Sequence, residues 1–229
     1  MLRQICRRAR FKVNTCALKS DDGPEGGLAE ILFPSERPIT STVDDATARH
    51  LLAKGKQLSD TQYNLLLSYL QSTGQPWHSY VEFSKPYSWL FPRTAIRLEK
   101  ITLGDRTYNR RHNHAGSSSI LFRDPMDNQS SRVGVIDDIW QTPLLNVVRT
   151  FFVVRLLELL PSEDLSRTPY PSFPTLQTTV VEQEPSAESL VIEPKHIVCH
   201  LTTLHLSEGT YGISRQTTAI CWALNRGRR

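Results

Sequence analysis

The stretch from Arg132 to Leu160 limits the possible folds more than any other. It reads Arg-Val-Gly-Val-Ile-Asp-Asp-Ile-Trp, then Gln-Thr-Pro-Leu-Leu-Asn, then Val-Val-Arg-Thr-Phe-Phe-Val-Val-Arg-Leu-Leu-Glu-Leu-Leu. Branching at Cβ and aromatic bulk suit a pleated surface better than a helix. Side chains alternate along a strand. Phe151, Val153 and Leu157 therefore share one face with Arg149 and Arg155, and Phe152, Val154 and Leu156 share the other. Neither face is purely solvent or purely core. Pro143 cannot donate to a ladder, so Gln141–Asn146 is expected to be the link of an antiparallel hairpin. Ile136, Ile139, Val153 and Leu156 are expected inside.

Short strands follow the same logic on either side. Ala95–Ile101 alternates apolar and charged residues, Leu103-Gly104-Asp105 is a turn, and Arg106–Asn109 resumes a strand. His78–Phe83 alternates as an edge strand. Ser117–Arg123, Leu176–Glu182, Leu190–Ile192, His196–Leu206 and Thr217–Leu224 complete the set. Arg110–Gly116 and Asp124–Ser131 read as loops, Ser207–Gly212 as a turn, and residues 161–175 as an extended, proline-stiffened crossing. Six or more short strands with turn signals between them indicate an all-β barrel or sandwich.

A helical pair precedes the strands. Thr42-Val-Asp-Asp45 opens the first helix and Gly55 stops it. Ser59-Asp-Thr-Gln62 fits a capping box, and Tyr63, Leu66, Leu67 and Leu70 form an apolar stripe ended by Gly74 and Pro76. Two short helices invite a helix-turn-helix reading. A DNA-reading helix carries Arg, Asn and Gln on its outer face. The second helix offers Asn64, Ser68 and Gln71 but no basic residue, so the pair is expected to pack on the edge of the β-domain as a lid. The expected fold class is thus α+β, mainly β: a small β-barrel (residues 75–228, with an insertion near 161–175) preceded by a helical pair (41–74) and by a basic tail and linker (1–40).

Charge and cysteines set broad limits. The net charge is +4 and the pI about 8.9, which permits contact with nucleic acid without requiring it. Arg3, Arg7, Arg8, Arg10, Lys12 and Lys19 read either as an address label, nuclear or organellar, or as a solvated tail. Cys6, Cys16, Cys199 and Cys221 form no Cys-x-x-Cys pair and are expected as reduced thiols of an intracellular protein. Arg149, Arg155 and Glu158 interrupt the longest apolar run, so no membrane span is expected.

Catalytic chemistry finds little support. Asp105, Asp124, Asp127, Asp137 and Asp138 tempt a metal-dependent nuclease reading, yet adjacent strand residues point apart and the others sit in turns. His112-Asn113-His114 reads as a polar loop. His196, Cys199, His200 and His205 are metal-ligand types without a standard spacing. No catalytic residue, metal or cofactor is expected. Tyr108, Trp140, Phe151 and Phe152 lie on adjacent strands and are the candidate ligand-binding residues. A cage for a methylated lysine takes two to four rings around the cation. The plainer reading is that these rings fill the core.

Four segments carry a resemblance: Leu103-Gly104-Asp105-Arg106-Thr107-Tyr108, Gly134-Val135-Ile136-Asp137-Asp138-Ile139-Trp140, Phe151-Phe152-Val153-Val154-Arg155-Leu156, and Val191-Ile192-Glu193-Pro194-Lys195-His196-Ile197. In order and spacing they resemble bromo-adjacent homology (BAH) domains. Over most of residues 40–228 the chain is also similar to the C-terminal region of fungal transposon-associated open reading frames. The long 161–195 insertion departs from that pattern. The resemblance implies a BAH-like barrel and a non-enzymatic interaction role, nuclear and at chromatin, with a protein or histone peptide as partner. A nucleic-acid-binding domain using a basic barrel face is the alternative.

Overall fold

The computed structural model describes residues 41–42, 44–79, 89–127, 130–145 and 147–222. The basic tail, all of residues 1–40, and most of the expected strand His78–Phe83 lie outside them. The chain is mainly β, as expected, but its sheet is not closed into a barrel. It divides into two compact units, one of residues 39–156 and 185–199, the other containing residues 157–184 and 200–222. The stretch 75–228, expected as one domain, contributes to both.

The larger unit is built on the expected hairpin. Strand β9 (Ser131–Leu144) pairs antiparallel with β10 (Val147–Leu156), and Leu144 lies opposite Val147. The link is tighter than expected, because Pro143 lies within β9 opposite Val148. A strand position that donates nothing to its neighbour tolerates proline. Leu145 turns the chain with φ of 50°, a left-handed conformation uncommon for leucine.

Short strands flank this ribbon. β8 (Ser119–Arg123) and β5 (Thr94–Leu98) pair with opposite ends of β9. β1 (Ser41–Thr42) and β12 (Ser189–Ile192) pair with opposite ends of β10. β2 (Lys56–Gln57) extends the sheet beyond β5, and β3 (Trp77–His78) pairs parallel with β4 (Trp89–Leu90) in a separate two-stranded sheet. A barrel requires continuous strand pairing around its circumference. Among the described residues, no strand pairs with Arg149–Phe151 on the outer edge of β10, and this gap leaves the ribbon open there.

One irregularity sets the phase of the ribbon. The register steps from Val153↔Asp138 to Val154↔Ile136, so Asp137 is an extra residue in β9. Such a bulge reverses the side-chain alternation beyond it. Ile136 and Ile139, three apart, consequently point into the same core. At the far end Gly134 faces Leu156. A Cβ there would lie 2.4 Å from Val154 Cγ1 and 2.7 Å from the Arg155 carbonyl, so only glycine lets the strands approach this closely.

Both faces of the ribbon are buried. On one, Trp140, Leu144, Phe151, Val153 and Val191 meet helix α2 (Asp60–Ser72) through Tyr63, Leu66, Leu67, Tyr69 and Leu70. The helix begins as its sequence signals. Ser59 Oγ accepts from Gln62 N, and Gln62 Oε1 accepts from Ser59 N at 3.1 Å. Helix α1 (Asp45–Lys54) is capped by Asp44, which accepts from Thr47 N at 2.7 Å, and it ends at Gly55. The helices were expected at an edge, but the stripe of α2 covers the face of the ribbon instead. On the other face Ile136, Ile139, Phe152, Val154, Leu156 and Ile192 pack with Ile120, Phe122 and Tyr108. Tyr108 comes from the hairpin of β6 (Lys100–Leu103) and β7 (Arg106–Asn109), which turns at Gly104 with φ of 62°. Each fully buried side chain of this kind contributes about 1.5–3 kcal/mol.

In the smaller unit β14 (Thr217–Trp222) pairs with β11 (Thr178–Glu182). It also pairs with the last residues of β13 (Ile197–Leu206). Leu160, Tyr170, Val180, Ile213 and Ala219 form its core. The crossing at residues 161–175 is not extended. It forms α3 (Ser162–Arg167) and 3-10 turns at Tyr170–Ser172 and Pro174–Leu176. Proline fits the first turn of a helix because its missing N–H is one the helix leaves unused, so Pro171 and Pro174 open these turns. Arg215 ties the unit together, meeting Glu182 at 2.8 Å and Asp164 at 2.7 Å.

Candidate functional site

The four candidate aromatics do not converge. Phe151 lies opposite Trp140 across the ribbon, and both belong to the core under α2. Tyr108 and Phe152 lie in the other core, with ring centroids 5.9 Å apart at 66°. All four side chains are buried. Burial also raises the Tyr108 phenol above its usual value, which keeps it protonated. The guanidinium of Arg97 stands 5.6 Å from the centroid of the Trp140 ring, so one cation–π contact is already made within the fold.

The acids are engaged rather than clustered. Asp138 accepts from Arg97 Nε at 2.7 Å and from Gln62 Nε2 at 3.3 Å, and it lies 3.2 Å from Arg110 Nε. Arg110 Nη1 also donates to Glu99 at 2.8 Å. Asp137, in the bulge, accepts from Arg155 Nη2 at 3.1 Å. Asp124 is buried, lies 2.8 Å from Arg132 Nε and accepts from Met126 N. Asp105 is exposed on the hairpin turn. In the loop at 110–116, Asn113 donates to Glu99, and this bond holds the Glu99 carboxyl below its usual range.

A second polar cluster gathers at the end of β12. Glu193 is 9 % exposed and lies 2.7 Å from Arg149 Nη2 and 3.1 Å from Lys195 Nζ. Tyr69 of α2 donates to Glu193 at 3.1 Å, and Arg149 Nη1 donates to Gln75 at 2.6 Å. Burial pulls the Glu193 carboxyl up, but Arg149 and Lys195 outweigh it and hold the group below its usual range. Burial, then the Glu193 charge, drives Tyr69 far above the normal phenol range, so its proton stays on the hydrogen bond. His196 sits in the 3-10 turn Pro194–His196, where its Nδ1 accepts from Glu193 N at 3.1 Å. Burial and the nearby Lys195 lower its pKa.

The histidine and cysteine group is scattered. His196 belongs to the turn and not to β13, and His205 Nδ1 is 3.1 Å from Thr218 Oγ1. Among the described residues no three histidine, cysteine or acidic side chains gather in the manner of a metal site. No helix among them is long and apolar enough to cross a membrane.

Sequence reasoning missed the Arg97–Asp138–Arg110 and Arg149–Glu193–Tyr69 clusters. Arg149 on the same face as Phe151 was the available signal, since a cation among core residues calls for a buried partner. The partner, 44 residues away, carries no local mark. Comparison of the chain with family models, with curated proteins and with solved structures finds no match.

Proposed function

We propose that the chain is a non-enzymatic interaction module of the BAH-like kind, nuclear, and acting on chromatin or on protein partners. One observation supports this most. The four segments that carry the resemblance fall in one compact unit, as the β6–β7 hairpin, β9, β10 and the end of β12. β12 pairs directly with β10, and Tyr108 of the first segment touches Phe152 of the third. The glycine of the second segment is the one the close approach of β9 to β10 demands. The buried acids among the described residues, Asp124, Asp138 and Glu193, are each tied to an arginine and hold elements in place. A hydrolytic centre leaves its carboxylates open to substrate or metal.

The full chain is to be screened against histone peptides, reconstituted nucleosomes and free DNA, with a supercoiled-plasmid nicking assay in Mg²⁺ and Mn²⁺ alongside. Saturable binding to one of these partners without nicking is the expected outcome. Cleavage of the plasmid that Asp138→Asn abolishes, while the variant stays folded, would refute the reading.

A further inference from the structure

We propose that the outward face of α1, continued by β2, is a contact surface for the phosphate backbone of duplex nucleic acid. The proposal rests on the interaction-module reading and names one component of its partner. Ala46, Arg49, His50, Ala53 and Lys54 are all exposed. Their spacing of three and four residues puts them on one stripe of the helix. Lys56 of β2 is exposed just beyond. The first turn holds Asp44 and Asp45, and no acid follows until Asp60, which is joined to Arg93 at 2.5 Å. Arg49 and Lys54 are about 7.5 Å apart along the axis, at about 1.5 Å rise per residue.

The chemistry of the face selects its partner. Ala53 lies between Arg49 and Lys54 on the stripe and Ala46 precedes them, so an anionic backbone can come close to the helix at these positions without meeting bulky side chains. The stripe offers no Phe, Tyr or Trp, the large rings on which single strands stack. It offers no large apolar residue, and insertion into a lipid interface requires an apolar face. It carries no Asn or Gln of the kind that reads adenine edges. Exposed cations alone fit sequence-independent contact with duplex phosphates, where affinity comes from counterion release. The helix-turn-helix possibility assigns DNA contact to α2, but Tyr63, Leu66, Leu67, Tyr69 and Leu70 bury that helix's stripe in the core. Of the two helices, α1 carries the cations, and α2 has no lysine or arginine.

The test uses the full chain and a short DNA duplex of arbitrary sequence, with affinity followed by anisotropy between about 50 and 200 mM salt. Each phosphate neutralised adds about −0.9 to the slope of log affinity against log salt. Lys54→Glu/Lys56→Glu is expected to lower affinity more than tenfold and to flatten the slope by about two such increments. Lys100→Glu, on the β6–β7 hairpin, is the charge control and should change little. The basic tail is present in every variant, so the difference reads the helix face alone. Circular dichroism confirms that each variant is folded. Equal losses from the control and the double variant would overturn the proposal, as would competition by polyglutamate as strong as by duplex. So would nucleosome or histone-peptide binding without any duplex binding, although that result leaves the interaction-module reading standing. Loss of all binding to every partner would instead count against that reading.

Discussion

The two faces of the β9–β10 ribbon are both buried, yet they are built differently. The face toward Tyr108 is apolar: Ile136, Ile139, Phe152, Val154 and Leu156 pack with Ile120, Phe122, Ile192 and the Tyr108 ring. The face under α2 mixes Trp140, Phe151 and Val153 with Arg149 and Asp138, each held by its own ion pairs. An apolar core stabilises through area removed from water and accepts many neighbours. A buried ion pair adds little net stability but is costly to break on one side, so it favours one arrangement of its elements over others. The Tyr108 face therefore supplies stability. The α2 face fixes where α2 and the end of β12 sit, because Gln62, Tyr69, Gln75 and Glu193 all reach it.

The largest expected contrast comes from charging the apolar face. Ile139→Asp puts a carboxylate into a fully buried apolar cluster, and the larger unit should lose its cooperative thermal transition altogether. A folded Ile139→Asp protein with a near-normal melt would contradict the division of roles. On the other face, Glu193→Ala strands Arg149 and should cost about 3–5 kcal/mol by denaturant titration. Removing both charges together, as Arg149→Met/Glu193→Leu, should recover most of that loss. If the double variant is no better than the single, the pair contributes more than orientation.

Acidification should weaken the same face selectively. His196 has its pKa lowered, so the folded state favours the neutral ring. The stability this confers is complete above the unfolded value of 6.5 and is lost as pH falls from there through the folded value. Glu193 also has its pKa lowered, so its contribution begins to fall only below 4.5 and disappears through its own folded value. Melting curves across this range should drop in two stages, and His196→Asn should remove the upper one. A flat profile from pH 7 to 5 in the parent protein would exclude His196 from the stabilising cluster. A smaller effect is expected at the start of α2, where Ser59→Ala should cost about 1 kcal/mol, read as a small shift in denaturant midpoint.

Much of this arrangement was legible in the sequence. The alternation of Phe151 and Val153 against Phe152 and Val154 is the division the structure makes between its cores. The Ser59–Gln62 box and the turn at Gly104 are local signals and appear where the residues place them. Long-range features left no such mark. Nothing in Val-Ile-Asp-Asp-Ile says that Asp137 is bulged, because a bulge is defined by the partner strand. Without it, simple alternation cannot place Ile136 and Ile139 on one face. The aromatic residues looked convergent because Tyr108, Trp140, Phe151 and Phe152 come from neighbouring strands, but alternation sends Phe151 and Phe152 to opposite sides. Proline within residues 161–175 suggested extension, whereas those prolines open tight helical turns.

The phase of the ribbon underlies every one of these assignments, and deleting Asp137 tests it most directly. Asp137→Ala keeps the extra residue and loses only a partly exposed pair with Arg155, so it should fold with a loss of about 1 kcal/mol or less. Deletion of Asp137 removes the bulge and turns Ile136, Val135 and Gly134 over relative to Val154, Arg155 and Leu156. Hydrogen exchange and thermal melting should then show β9 and β10 unprotected and no cooperative transition. A deletion protein as stable and as protected as Asp137→Ala would contradict the account.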